Sequence, residues 1–103
     1  METQLIIVDE YCTKSHIEPS FVYRLEEGGL INVQQIEGER YLDIAEVPDL
    51  ERFSRMYYDL SINIEGIDAI NQLLDQLKLL RTELEDLRHR LRLYESPDDG
   101  FLL

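Results

Sequence analysis

The clearest pattern in the chain is the spacing of apolar residues in its last third. Ile70, Leu73, Leu77, Leu80, Leu84, Leu87, Leu91 and Tyr94 follow one another at gaps that alternate between three and four without a slip. That is a heptad repeat, with Ile70, Leu77, Leu84 and Leu91 at the a positions and Leu73, Leu80, Leu87 and Tyr94 at d. It predicts one long helix over residues 67–95. A head of about 65 residues cannot cover such a stripe along its whole course, so the stripe calls for a second helix, by default from a second copy of the chain. The flanking charges lean towards a parallel pair, in which Glu83 meets Arg88 and Arg90 meets Glu95. Each such rim pair is worth only a few tenths of a kcal/mol.

The first 66 residues read as shorter elements. The run TQLII (3–7) predicts a strand. Asp9 is placed to cap a short helix over Glu10–Ser15 that turns Tyr11 and Cys12 inward. Pro19 suits the first position of a second helix, Pro19–Glu27, whose Phe21, Val22 and Leu25 share a face. Gly28-Gly29 ends it, and Leu30 and Ile31 return to the core. Val33–Ile36 and Arg40–Asp43 predict a hairpin around a Glu37-Gly38-Glu39 turn. A third helix is expected from Glu46 or Pro48 to Leu60, with Leu50, Phe53, Met56, Tyr57 and Leu60 on one side. Ser61–Asn63 interrupt it, and Asn63 is placed to cap the long helix. The tail SPDDGFLL, 96–103, is expected to fray.

Composition narrows the function classes. The 103 residues include 22 acids and 10 bases, a net charge of −12. The charge is uneven: −6 over residues 1–45, −3 over 46–66, −1 over 67–95 and −2 over 96–103. An acidic surface repels phosphate backbones and anionic lipid and attracts basic proteins. One cysteine, Cys12, cannot form an intramolecular disulfide. No apolar run approaches the ~18–20 residues of a membrane span, and METQLIIVDEY lacks the basic start of a secretory signal. The expected location is cytoplasmic.

The stretch YCTKSHIEPSFVYRLEEGGLI, a β wing behind it and a C-terminal coiled-coil helix together resemble a MerR-type winged helix-turn-helix. Within that superfamily, Tyr11-Cys12, Gly29-Leu30-Ile31 and LSINIEGIDAINQLLDQLKLL are similar to the CbpM chaperone-modulator family, over about residues 4–95. The fold class this implies is mainly α with a small β wing: a winged helix-turn-helix head, 1–66, followed by a long dimerisation helix. The function it implies is that of an adaptor without chemistry of its own. Such an adaptor binds the J-domain of a DnaJ/CbpA-type co-chaperone and inhibits it. MerR-type dimers pair their long helices antiparallel, against the lean of the charges here.

Two interaction classes compete at the head. A reader of DNA needs bases on its recognition helix and around it. PSFVYRLEE carries only Arg24, and the wing carries Glu37 and Glu39 around one Arg40, so DNA binding is disfavoured. A J-domain presents a basic helix to its Hsp70 partner, and an acidic head suits it. The expected contacts are Glu26, Glu27, Asp59, Glu65 and Asp68, with Tyr57 and Tyr58 as aromatic anchors. The alternative is that these acids form a solvated face. Catalytic chemistry is not indicated. Cys12 reads as a buried structural thiol, His16 as a surface or capping residue, and His89 as the i+4 neighbour of Glu85. No metal, cofactor or phosphate-loop motif is present, and the protein is expected not to be an enzyme.

Overall fold

A computed structural model of the protein describes residues 4–94. The expected frayed tail, 96–103, lies outside the described residues, and so do Thr3 of the first strand and the Glu95 partner of Arg90. In chain order the elements are β1 (Leu5–Ile7), α1 (Val8–Ser15), α2 (Pro19–Glu27), β2 (Val33–Ile36), β3 (Glu39–Asp43), a 3-10 turn (Ile44–Glu46), α3 (Val47–Ser54) and α4 (Ile64–Tyr94). A π-helical turn, Arg55–Asp59, continues α3. The architecture is mainly helical with a small sheet. The chain divides into two compact units between Ala69 and Ile70.

In the first unit α1 begins directly after β1, two residues earlier than a cap at Asp9 would start it. Ile7 holds the capping position without any side-chain bond. Val8, 2% exposed, is drawn into the core, and that burial sets the start of the helix. Asp9 and Glu10 then lie in the first turn, where negative charge favours the helix dipole. His16 ends the helix in the left-handed region at φ 60°, and the Ile17 amide donates to the Cys12 carbonyl at 3.0 Å.

The second helix spans its expected range, with Phe21, Val22 and Leu25 buried. Its end has a defined geometry. Gly29 takes φ 76°, its amide donates to Glu26 O at 3.0 Å, and the Leu30 amide donates to Leu25 O at 2.9 Å. These two bonds make a Schellman motif, which satisfies carbonyls the helix cannot. The wing differs from expectation by one residue. Glu39 pairs with Ile36 in the ladder, which leaves a two-residue turn, Glu37 at φ 52° and Gly38 at φ 82°. Two positive φ values make a type I′ turn, whose twist matches that of the strands. β1 adds to the other side of β3, so the antiparallel sheet has the order β1-β3-β2.

The core of the unit contains Val8, Cys12, Phe21, Val22, Leu25, Ile31, Leu42, Leu50, Phe53 and Ile67, and no buried polar or charged residue among those described. The core residues come from α1, α2, β3, α3 and the first turn of α4, with Ile31 from the loop before β2, and β2 packs Val33 against them. On α3 and the π turn, Leu50 and Phe53 are buried and Met56 and Tyr57 pack against the core. Leu60, expected on that face, is 65% exposed. The π turn, closed by Leu60 N–H to Arg55 O at 3.2 Å, holds an extra residue, so a 3.6-residue stripe loses its phase there. Asn63 caps α4 as expected, its Oδ1 accepting from the Gly66 amide at 2.8 Å.

The second unit, from Ile70, is the rest of α4. It is helical to Tyr94 and carries an i, i+4 ion pair between Asp86 and Arg90 at 3.2 Å. Ile70 is half-buried, the six seam leucines from Leu73 to Leu91 are 45–62% exposed, and Tyr94 is 88% exposed. At 1.5 Å per residue the stripe is about 36 Å long.

Candidate functional site

The expected recognition helix, α2, presents one face to the core and another outward. Phe21, Val22 and Leu25 take the inner face, which leaves Tyr23, Arg24 and Glu27 exposed and Glu26 half-exposed. Tyr23 and Glu26 are three residues apart and so share a side of the helix. Arg40, on the wing strand β3, reaches across to both. Its guanidinium lies 3.4 Å from the centre of the Tyr23 ring, and its Nη2 donates to Glu26 Oε1 at 2.6 Å. Arg40 Nε is buried and has no hydrogen-bond partner.

The helix's own base, Arg24, is also engaged. Arg24 Nη1 donates to the Tyr57 hydroxyl at 3.0 Å and lies 5.6 Å from that ring's centre. The π turn makes this possible by bringing Tyr57 and Tyr58 onto the same end of α2. Tyr57 stacks on Phe21 at 4.6 Å between ring centres, and Tyr58 meets the Phe21 and Tyr57 rings edge-on at 5.3 and 5.0 Å. The Tyr58 hydroxyl accepts the Glu18 amide at 3.0 Å. That amide is at the N-cap of α2, which no side chain of its own serves, so the turn closes the helix end from outside.

The seven expected contact residues therefore fall into different settings. Glu27, Asp59 and Glu65 are exposed, Tyr58 is 40% exposed, and Tyr57 and Asp68 are half-buried. Glu26 is tied to Arg40, and Tyr57 is part of the packing around Phe21. The end of α2 abuts the start of α4: a Cβ added at Gly28 would lie 3.8 Å from Ile64 Cγ2. Glu26 and Glu27 thus stand on an element adjoining the one that carries Glu65 and Asp68. Sequence reading missed Tyr23, and it took Arg40 only as a lone base in the wing. The i, i+3 spacing of Tyr23 and Glu26 was a usable signal, whereas the wing arginine that meets them is 14 residues from Glu26 and has no local signature.

On this face Arg40 is paired with Glu26 and Arg24 is hydrogen-bonded to Tyr57, and Glu27, Glu37 and Glu39 are exposed around them. Non-specific affinity for nucleic acid rests almost wholly on cations free to replace counterions. Elsewhere the described residues offer little chemistry. Cys12 is 2% exposed, and its thiol pKa is raised, first by burial and then by Asp9, with Arg40 opposing. No group of three or more His, Cys, Asp or Glu among the described residues is placed to hold a metal, and no described helix is long and apolar enough to cross a membrane.

A family model described as MerR HTH family regulatory protein matches residues 6–89. No curated protein and no solved structure matches the chain.

Proposed function

The chain belongs to the MerR HTH regulatory family, and we propose that it is a chaperone modulator of that fold rather than a reader of DNA. In this reading it binds the J-domain of a DnaJ/CbpA-type co-chaperone through the acidic surface of its head and inhibits it by competing for the basic helix that the J-domain presents to Hsp70. The observation that carries the reading is the state of the recognition-helix face: Arg40 is paired with Glu26 and Arg24, still cationic, is bonded to Tyr57, while Glu27, Glu37 and Glu39 are exposed around them. Charge complementarity of this kind raises association rates and selects partners more than it adds affinity.

The long helix completes the proposal. Its exposed leucines, at unbroken heptad spacing, suit a homodimer in which a second copy covers Leu73–Leu91. The protein then acts as a two-headed adaptor without catalytic activity.

A titration of J-domain binding against salt tests the reading. Affinity is expected to fall as ionic strength rises, because exposed charges are screened beyond about 8–10 Å; binding indifferent to salt overturns the electrostatic account. The second reading, a transcription regulator binding DNA as a dimer, is favoured by the family match itself. It predicts retardation of promoter fragments in a gel shift at physiological salt. J-domain capture without retardation supports the first reading, and retardation without capture supports the second.

A further inference from the structure

We infer that Tyr23 and Glu26 form a docking seat for an arginine of a basic protein partner, and that Arg40 fills this seat in cis as an autoinhibitory plug. The inference deepens the acidic-face reading above and rests on it. An aromatic ring and a carboxylate three residues apart on one helix offer a guanidinium both a stacking surface and an ion-pair partner, and its planar stacking and forked donors favour arginine over lysine there. The structure shows a guanidinium in that position, 3.4 Å from the centre of the Tyr23 ring and 2.6 Å from Glu26 Oε1.

Arg40 fills the seat imperfectly. It makes one ion-pair contact with Glu26, through Nη2, and its Nε is buried without a partner. A buried donor left unmet is costly. An arginine arriving from outside is not bound to the wing's backbone, so it can turn both faces of its fork to the carboxylate in the stronger bidentate geometry. The seat is also open to a competitor: Tyr23 is 45% exposed, and the Glu26 side chain is 37% exposed. Exchange of one guanidinium for another releases the Arg40 side chain from α2, while β3 stays paired on both sides and anchored by the buried Leu42.

The counterintuitive consequence is that removing Arg40 strengthens binding. The probe is hexa-arginine, with hexa-lysine as the control for charge alone, so the outcome does not depend on whether a J-domain is the partner. Arg40→Gln is expected to bind hexa-arginine about three- to thirty-fold tighter than the native chain, the range of an exposed ion pair plus a cation–π contact. Arg55→Gln, which removes the same charge from an exposed position on the π turn, is expected to gain less than about threefold. Adding Glu26→Gln to Arg40→Gln should abolish the gain. Equal gains for Arg40→Gln and Arg55→Gln, or an equal gain for hexa-lysine, overturns the inference. A measurement on the native chain guards against misfolding of the variant: the Arg40 Nε–H resonance should move on addition of hexa-arginine and not of hexa-lysine. A resonance that stays in place with both peptides overturns the inference equally.

Discussion

The head and the long helix use their apolar residues in opposite ways. In the head ten apolar side chains are at most 2% exposed and form one cluster. From Leu73 onward the seam leucines are all at least 45% exposed, although their spacing is the most regular in the chain. The difference shows that regular hydrophobic spacing specifies a surface and does not by itself supply its cover. The head meets its own apolar faces through turns and a sheet. A single helix has nothing of its own to fold against over about 36 Å.

The largest expected effect breaks the helix side of this contrast. In the proposed homodimer, Leu80→Ala with Leu84→Ala removes four leucines from a pair of chains, at about 2 kcal/mol or more each, about the full stability of a micromolar dimer. Sedimentation should show monomers while the melting of the head stays unchanged; dimers that persist would mean that the seam is not the interface. Phe53→Ala strikes the other side and is expected to cost the head about 3–5 kcal/mol, read as a lower urea midpoint. Gly66→Ala sharpens the boundary between cap and core. The added Cβ would lie 2.8 Å from Ile62 Cγ2 and 3.0 Å from the capping Asn63 oxygen. Crowding there should outweigh alanine's helix preference and leave a net loss of about 1 kcal/mol in thermal unfolding.

The smallest effect is a pH dependence. The Cys12 thiol is held neutral in the head, its pKa raised first by burial, whereas an unfolded thiol ionises near ~8.5. Above that pH the unfolded chain has fewer bound protons than the folded one, so stability is full below it and declines as pH rises towards the folded value. Cys12→Val should flatten the alkaline limb of a stability–pH profile; an unchanged limb would assign the decline to other groups.

Much of the fold was legible because its signals are local. Pro19 at the start of α2, Gly29 in the left-handed region behind it, the wing turn around Gly38 (expected one residue longer than the Glu37-Gly38 turn found) and the Asn63 cap each act within a few residues of themselves. The heptad repeat is likewise a property of one helix. The errors lie where packing overrode local preference: Val8 advanced the start of α1, and the π turn rotated Leu60 off the apolar face. The acids of the candidate site were legible as residues, but their availability was not, since Glu26 is engaged by Arg40 from 14 residues away and Glu27 stays exposed.

The sequence by itself determined the helices, the wing, the acidic balance of the head and the unbroken stripe from Ile70 to Tyr94, because periodicity, capping and charge are written along the chain. Only the tertiary structure decided that β3 takes the centre of the sheet, that Tyr57 and Tyr58 close over α2, and that Arg40 sits on Tyr23 and Glu26. Those arrangements join residues from 14 to 40 positions apart, where the core, and not local spacing, fixes which side chains meet.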